Sequence, residues 1–218
     1  MNHQPQLTDG FGGDVFIARQ PIFDRNNQVF AYELLYRGGT AHNASNVQEG
    51  NETTRTKLDG DTATARVVLT AFVDMGIDKI TGGKKAFLNF TKTFLNKTYL
   101  AALPRTKVVI ELLENIEVTP EVVTAIRALK KAGYTIALDD FFYDSKYEPL
   151  LELADIVKVD ITLMSLTELK QHVSQIKKHQ QIKLLAEKVE TQAEQKACMD
   201  MGFDYFQGYF FAKPNIIA

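Results

Sequence analysis

From Val15 onward the chain repeats one pattern: a short apolar run, then an amphipathic stretch at helical spacing. That alternation predicts βα units and a mostly parallel sheet, because only buried parallel strands tolerate nearly continuous apolar sequence between helices. The runs predict strands near Val15–Ala18, Val29–Leu35, Ala86–Phe90, Val108–Leu112, Thr135–Asp139, Ile156–Asp160, Lys183–Ala186 and Tyr205–Phe210. Between them the helix ends are readable. Thr119 is an N-cap before Pro120, with Val122, Val123, Ile126 and Leu129 on one face and Gly133 past the end. Thr191 with Glu194, and Ser165 with Glu168, read as capping boxes. A short polar turn, Asp24-Arg25-Asn26-Asn27, joins the first two runs, so these should pair as an antiparallel hairpin. The expected fold is therefore α/β, a modified TIM-type (β/α)8 barrel with one antiparallel strand. With 218 residues the chain suits one domain. Residues 1–13 read as a disordered lead-in and 14–218 as the barrel domain, with a long polar loop from about Gly38 to Gly60.

Polar residues recur at the C-terminal ends of these runs: Glu33, Asn89, Glu111, Asp139, Asp140, Lys158, Glu187 and Gln207. In a (β/α) barrel such ends converge on one mouth, where catalytic groups of this architecture sit. Each residue alone has an ordinary alternative. A strand-end Glu can cap a helix or pair with Lys, Asp139-Asp140 can be a turn, and Lys158 can be a Schiff-base lysine. The joint pattern is not required by core packing. Several carboxylates gathered together repel by about 4 kcal/mol per pair at ~4 Å unless cations neutralise them. Oxygen donors without His or Cys favour magnesium or manganese, and two such ions can activate water against a phosphodiester.

Other classes are poorly supported. The 25 basic and 27 acidic residues leave a net charge of −2 with no basic block, which argues against a duplex nucleic-acid binder. No apolar run approaches the roughly 18 residues of a membrane span, and the segment from Met1 to Gly13 has no apolar signal core. The single Cys198 offers neither a disulfide nor a thiolate metal site, and His3, His42, His172 and His179 lack ligand spacing. A soluble cytoplasmic protein is expected.

Gln20-Pro21-Ile22, Glu33-Leu34-Leu35-Tyr36-Arg37, Asn89, Glu111-Leu112-Leu113-Glu114 and Asp139-Asp140-Phe141 together resemble motifs of the EAL-domain cyclic di-GMP phosphodiesterases. Lys158-Val159-Asp160, Ala186-Glu187-Lys188-Val189-Glu190-Thr191 and the stretch Gln207-Gly208-Tyr209 to Pro214 complete a resemblance running from Phe16 to Pro214. It implies Glu33, Asn89, Glu111 and Asp139 as metal ligands, with Asp140 bridging or binding a second ion. It further implies that Lys158 orients the attacking water, that Glu187 holds metal or water, and that Gln20, Arg37 and Gln207 contact the dinucleotide. The implied activity cleaves cyclic di-GMP to linear pGpG; the alternative is a catalytically degenerate nucleotide sensor or protein-interaction module.

Two departures from the family pattern bear on that choice. Phe142-Tyr143-Asp144 stands where the family has Gly-Thr-Gly, and Lys158 follows about two residues early. Side chains there adopt positive φ less freely than glycine, so magnesium or manganese is expected to bind more weakly than in relatives with the glycine loop. Lys188 replaces a glycine and is expected to lie beside Glu187. Asp59-Gly60-Asp61 through Thr81-Gly82-Gly83-Lys84 resembles the branch in which an EAL domain precedes an HDOD domain. That makes an HDOD domain, a signalling partner or a second copy the expected protein partners. No stretch of HDOD length follows Pro214, which suits a stand-alone relative or a shortened chain.

Overall fold

The computed structural model describes residues 15–38, 76–95, 100, 103–114 and 116–217. The expected lead-in, and the expected loop beyond Gly38, lie outside the described residues. The described residues form nine strands: β1 (Val15–Asp24), β2 (Val29–Gly38), β3 (Lys85–Phe90), β4 (Val108–Leu112), β5 (Thr135–Leu138), β6 (Ile156–Asp160), β7 (Lys183–Glu187), β8 (Tyr205–Phe206) and β9 (Asn215–Ile216). β2 to β8 run parallel in sequence order. β1 closes the ring by pairing antiparallel with both β2 and β8, and β9 adds two residues to it. The barrel thus has eight strands with β1 reversed, as the polar turn at Asp24–Asn27 predicts. That turn is held by Asp24, whose Oδ1 accepts from the amides of Asn26 and Gln28 at 2.8 and 2.9 Å.

Helices α1 (Ile77–Thr81), α2 (Lys92–Leu95), α3 (Pro120–Lys131), α4 (Glu148–Leu151), α5 (Leu166–Ile176) and α6 (Gln192–Asp200) accompany the strands. Their starts follow the local code. The Thr119 hydroxyl accepts from Val122 N, and both capping boxes form, at Ser165/Glu168 and Thr191/Glu194. Val122 and Ile126 of α3 are buried, as are Leu169, Val173 and Ile176 of α5, against the outward faces of the strands. Among the described residues no helix is long and apolar enough to cross a membrane.

The barrel interior is a separate apolar layer with one residue from each of seven strands: Ile22, Ala31, Phe87, Val109, Ala137, Ile156 and Leu185, against which Tyr205 of β8 packs. Side chains alternate across a strand, so the next inward position lies two residues further toward the mouth. That step leads from Ala31 to Glu33, Phe87 to Asn89, Val109 to Glu111, Ala137 to Asp139, Ile156 to Lys158, Leu185 to Glu187 and Tyr205 to Gln207. β1 runs the other way, so its step leads from Ile22 back to Gln20, which is in register with Glu33. All eight strands therefore put a polar residue directly above the apolar plug.

Two expected strands end early: β5 at Leu138, just before Asp139, and β8 well short of its apolar run. β8 stops at Phe206 rather than Phe210, because Gly208 approaches Val189 so closely that a Cβ there would lie 2.1 Å from Val189 O. The amide of Val189 donates to Gln207 O at 3.0 Å and that of Phe210 to Val189 O at 3.1 Å, which turns the chain across the barrel rim.

Candidate functional site

Lys158 stands at the centre of the polar layer, 1% exposed, from the middle of a strand buried throughout. Its ammonium contacts Glu111, lies 2.7 Å from Asp139 Oδ1 and 2.9 Å from Glu187 Oε1, and reaches Glu33 Oε2 at 3.8 Å. Gln207 Nε2 donates to Glu33 Oε2 at 2.8 Å. The β3–β4 register sets Asn89 level with Glu111. Gln20 donates through Nε2 to Ala212 O at 3.2 Å and so ties the hairpin to the segment after Gly208. Glu33, Glu111, Asp139, Lys158, Glu187 and Gln207 are thus brought together at one mouth. Asn89 and Gln20 share their layer. Arg37 belongs to β2, but its side chain lies outside the described residues.

One ammonium faces four carboxylates, and the titration reflects it. Burial pushes the Glu111 carboxyl well above its usual range despite the neighbouring Lys158. Burial likewise drives Glu187 up to about 8. For Lys158 burial acts downward, yet Glu111, Glu187, Glu33 and Asp139 outweigh it and hold the ammonium well above its ordinary value. A Schiff-base lysine needs the reverse, a lowered pKa that frees its lone pair. The four carboxylates around its ammonium therefore weigh against reading Lys158 as a carbonyl-attacking lysine. Glu111 Oε2, Glu187 Oε2 and Gln207 Oε1 are buried without a hydrogen-bond partner among the described residues. Buried oxygens without donors suit a hard cation or a ligand bearing N–H or O–H groups.

At the edge of this layer Asp140 is exposed and adopts φ 40, a left-handed conformation that costs a non-glycine residue about 1 kcal/mol or more. Partial desolvation at the rim and the adjacent Asp139 raise its pKa. Glu114, Asp139 and Asp140 each place a carboxylate oxygen within 4.8 Å of the others. Glu114 closes the Glu111-Leu112-Leu113-Glu114 motif, but the strand-end pattern assigns it no role. Its position three residues beyond Glu111, past the strand end, is the signal that could have found it. These carboxylates border a cavity of about 310 Å³ that runs beside the ring, between Leu112–Ile116 and Asp139–Leu150.

Both departures from the family pattern take a definite geometry in the structure. Positive φ is not needed at Phe142, Tyr143 or Asp144; among non-glycine residues it falls at Asn27, Asp140 and Lys188. Phe142 is 65% exposed and Asp144 caps a short 3-10 turn by accepting from Lys146 N. Lys188 adopts φ 56, so it takes the backbone geometry that suits a glycine. Its ammonium pairs with the buried Asp160, whose other oxygen accepts from Thr162 N and Oγ1 at 2.9 and 2.6 Å, and Glu187 and Asp140 lie near enough to help raise its pKa.

The fold and site define a closed (β/α) barrel with one reversed strand and an oxygen-donor cluster at its mouth. Residues 7–214 match the model of the EAL domain, and the chain belongs to the EAL-domain family. It is 40% identical over 209 residues to the YuxH protein of Bacillus subtilis, a match covering 94% of this chain and 48% of that protein. It is 34% identical over 203 residues to the cyclic di-GMP phosphodiesterase CdgJ of Vibrio cholerae, covering 93% of this chain and 45% of that one. The chain spans about half the length of these relatives. The Bacillus subtilis YkuI protein, whose EAL domain was solved with cyclic di-GMP and calcium, superposes with a TM-score of 0.68 at 22% identity. That likeness covers 92% of this chain and 56% of YkuI, and it establishes the shared fold.

Proposed function

We propose that this chain is a metal-dependent cyclic di-GMP phosphodiesterase domain that opens the cyclic dinucleotide to linear pGpG. The observation that carries the reading is the complete polar layer, with four carboxylates around Lys158 and buried oxygens left without donors. Relatives named for this activity, and EAL folds solved with the nucleotide, supply the substrate. Glu33, Asn89, Glu111 and Asp139 are the residues that would hold the first ion, and Asp140 the second. Magnesium or manganese fits their oxygen donors. Such ions lower the pKa of bound water and stabilise the leaving oxygen.

The chain's own groups do the rest. With the carboxylates neutralised, Lys158 is free to orient water or hold a proton. Glu187, pushed up to about 8, can exchange a proton near neutrality. Gln207, Gln20 and Arg37 are the residues we assign to contacting the dinucleotide. Its phosphates are then met locally, as the net charge of −2 requires. We place the reaction in the cytoplasm, where this nucleotide signals. A second copy, or an HDOD domain or other signalling protein, is the partner we propose to read it out.

A second reading, a nucleotide sensor without turnover, is favoured by one observation: Lys158 already places a positive charge at the centre of the ring. The test is to incubate the purified chain with manganese and cyclic di-GMP and follow the linear product by chromatography. Product supports the phosphodiesterase. Binding without product selects the sensor, and neither binding nor product rejects both.

A further inference from the structure

The left-handed Asp140 persists only if the chain on both sides of it is fixed. On the sheet side it is: Asp139 N donates to Leu112 O at 2.9 Å and Phe141 N to Lys158 O at 3.0 Å. Beyond Phe141 the chain leaves the sheet, and its backbone groups need other partners. One side chain supplies two of them. His172, on α5 and 7% exposed, places Nε2 3.0 Å from Phe141 O and Nδ1 3.4 Å from Tyr143 N. The Phe142 ring stacks on the imidazole at 5.2 Å, and Phe141 is buried against Tyr147 at 5.6 Å. Further along, Tyr143 OH donates to Glu148 Oε1 at 2.6 Å, and Glu148 Oε2 meets His179 Nε2 at 3.0 Å.

The partners dictate the chemistry of His172. A carbonyl only accepts and an amide only donates, so Nε2 carries the hydrogen and Nδ1 is bare. Only the neutral imidazole in this tautomer satisfies both, and burial favours the neutral form. The cavity of about 310 Å³ beside Asp140, Phe141 and Tyr147 gives the loop room to move if the clamp is lost.

We propose that His172 is the positioning residue for the Asp139–Asp140 pair: its Nε2–H imidazole clamps the backbone of Phe141 and Tyr143 and holds the Asp140 carboxylate toward the mouth. The link to metal rests on the functional reading above; the clamp itself does not. His172→Phe keeps the ring that stacks on Phe142 but removes both hydrogen bonds. His172→Gln keeps a donor near the Nε2 position.

In the metal-free wild-type chain, nitrogen NMR of the imidazole should show a protonated Nε2 and a bare Nδ1, and the Tyr143 amide should be protected from hydrogen exchange. His172→Phe should lose that protection and bind manganese roughly ten- to hundred-fold more weakly by calorimetry, the range seen when a partner behind a metal ligand is removed. His172→Gln should recover part of both. An Nδ1–H tautomer in the wild type overturns the proposal. So does a folded His172→Phe with unchanged Tyr143 exchange and manganese affinity. If the wild type neither binds manganese nor turns over the nucleotide, the functional reading fails, while tautomer and exchange still decide the clamp. If His172→Phe does not fold, the wild-type tautomer and the His172→Gln exchange decide it.

Discussion

Replacing Lys158 by Met removes the one cation among the described residues within 4 Å of Glu33, Glu111, Asp139 and Glu187 while keeping most of the side-chain volume. At separations of 2.7 and 2.9 Å, Coulomb's law gives about 6 kcal/mol for each contact at an effective dielectric near 20. Desolvation of the ammonium offsets much of this, and breaking a buried pair from one side costs roughly 3–5 kcal/mol net. For a chain of this size that corresponds to a fall in Tm of about 10 °C. The abandoned carboxylates can escape by taking up protons, as Glu187 already does at about 8. The loss should therefore be smaller at pH 6 and larger at pH 8. A divalent ion can replace the missing charge, so manganese should raise the Tm of Lys158→Met more than that of the wild type. The assay is thermal unfolding by circular dichroism at both pH values, with EDTA and with excess manganese. A Tm in EDTA within about 2 °C of wild type, less than 1 kcal/mol on the same scale, would refute the idea that Lys158 is the counter-ion of the ring.

Manganese affinity should rise with pH through about 8, because binding must displace the proton that burial holds on Glu187; titration calorimetry in buffers of different ionisation heat should show proton release. The raised Glu187 also means that its contribution to metal-free stability is complete below the ordinary Glu pKa and is lost as pH rises through about 8, a trend read by urea unfolding in EDTA. Glu33→Ala should abolish turnover without loss of the circular dichroism spectrum, since it empties a proposed ligand position while lessening like-charge repulsion. Lys188→Ala should be less stable than Lys188→Gly by about 1 kcal/mol in urea, because both lose the Asp160 pair but only Ala bears the cost of φ 56. Gly208→Ala should be more damaging than either, given the 2.1 Å approach of its Cβ to Val189 O, and should lower Tm by several degrees.

What could be read in advance divides by the range of the forces involved. The capping boxes at Ser165 and Thr191, the Thr119 cap and the hairpin turn at Asp24 are settled within a few residues, and all form where the sequence places them. The polar layer is long-range in space but local in code, since strand alternation alone carries an inward Ala31 or Val109 to an inward Glu33 or Glu111. The way the layer is neutralised could not be read, because it depends on one β6 side chain meeting four carboxylates from other strands. Left-handed Asp140 and Lys188 carry no glycine to announce them; their φ is imposed by the sheet bonds on either side of Asp140 and by the tight Val189–Gly208 crossing that follows Lys188. His172 shows the same limit most sharply. Judged by spacing to other ligands it has no role, because its partners are the backbone of a different element, and backbone donors and acceptors leave no trace in residue type. A loop without glycines can therefore still present Asp140, provided that a distant side chain supplies the hydrogen bonds its own sequence does not encode.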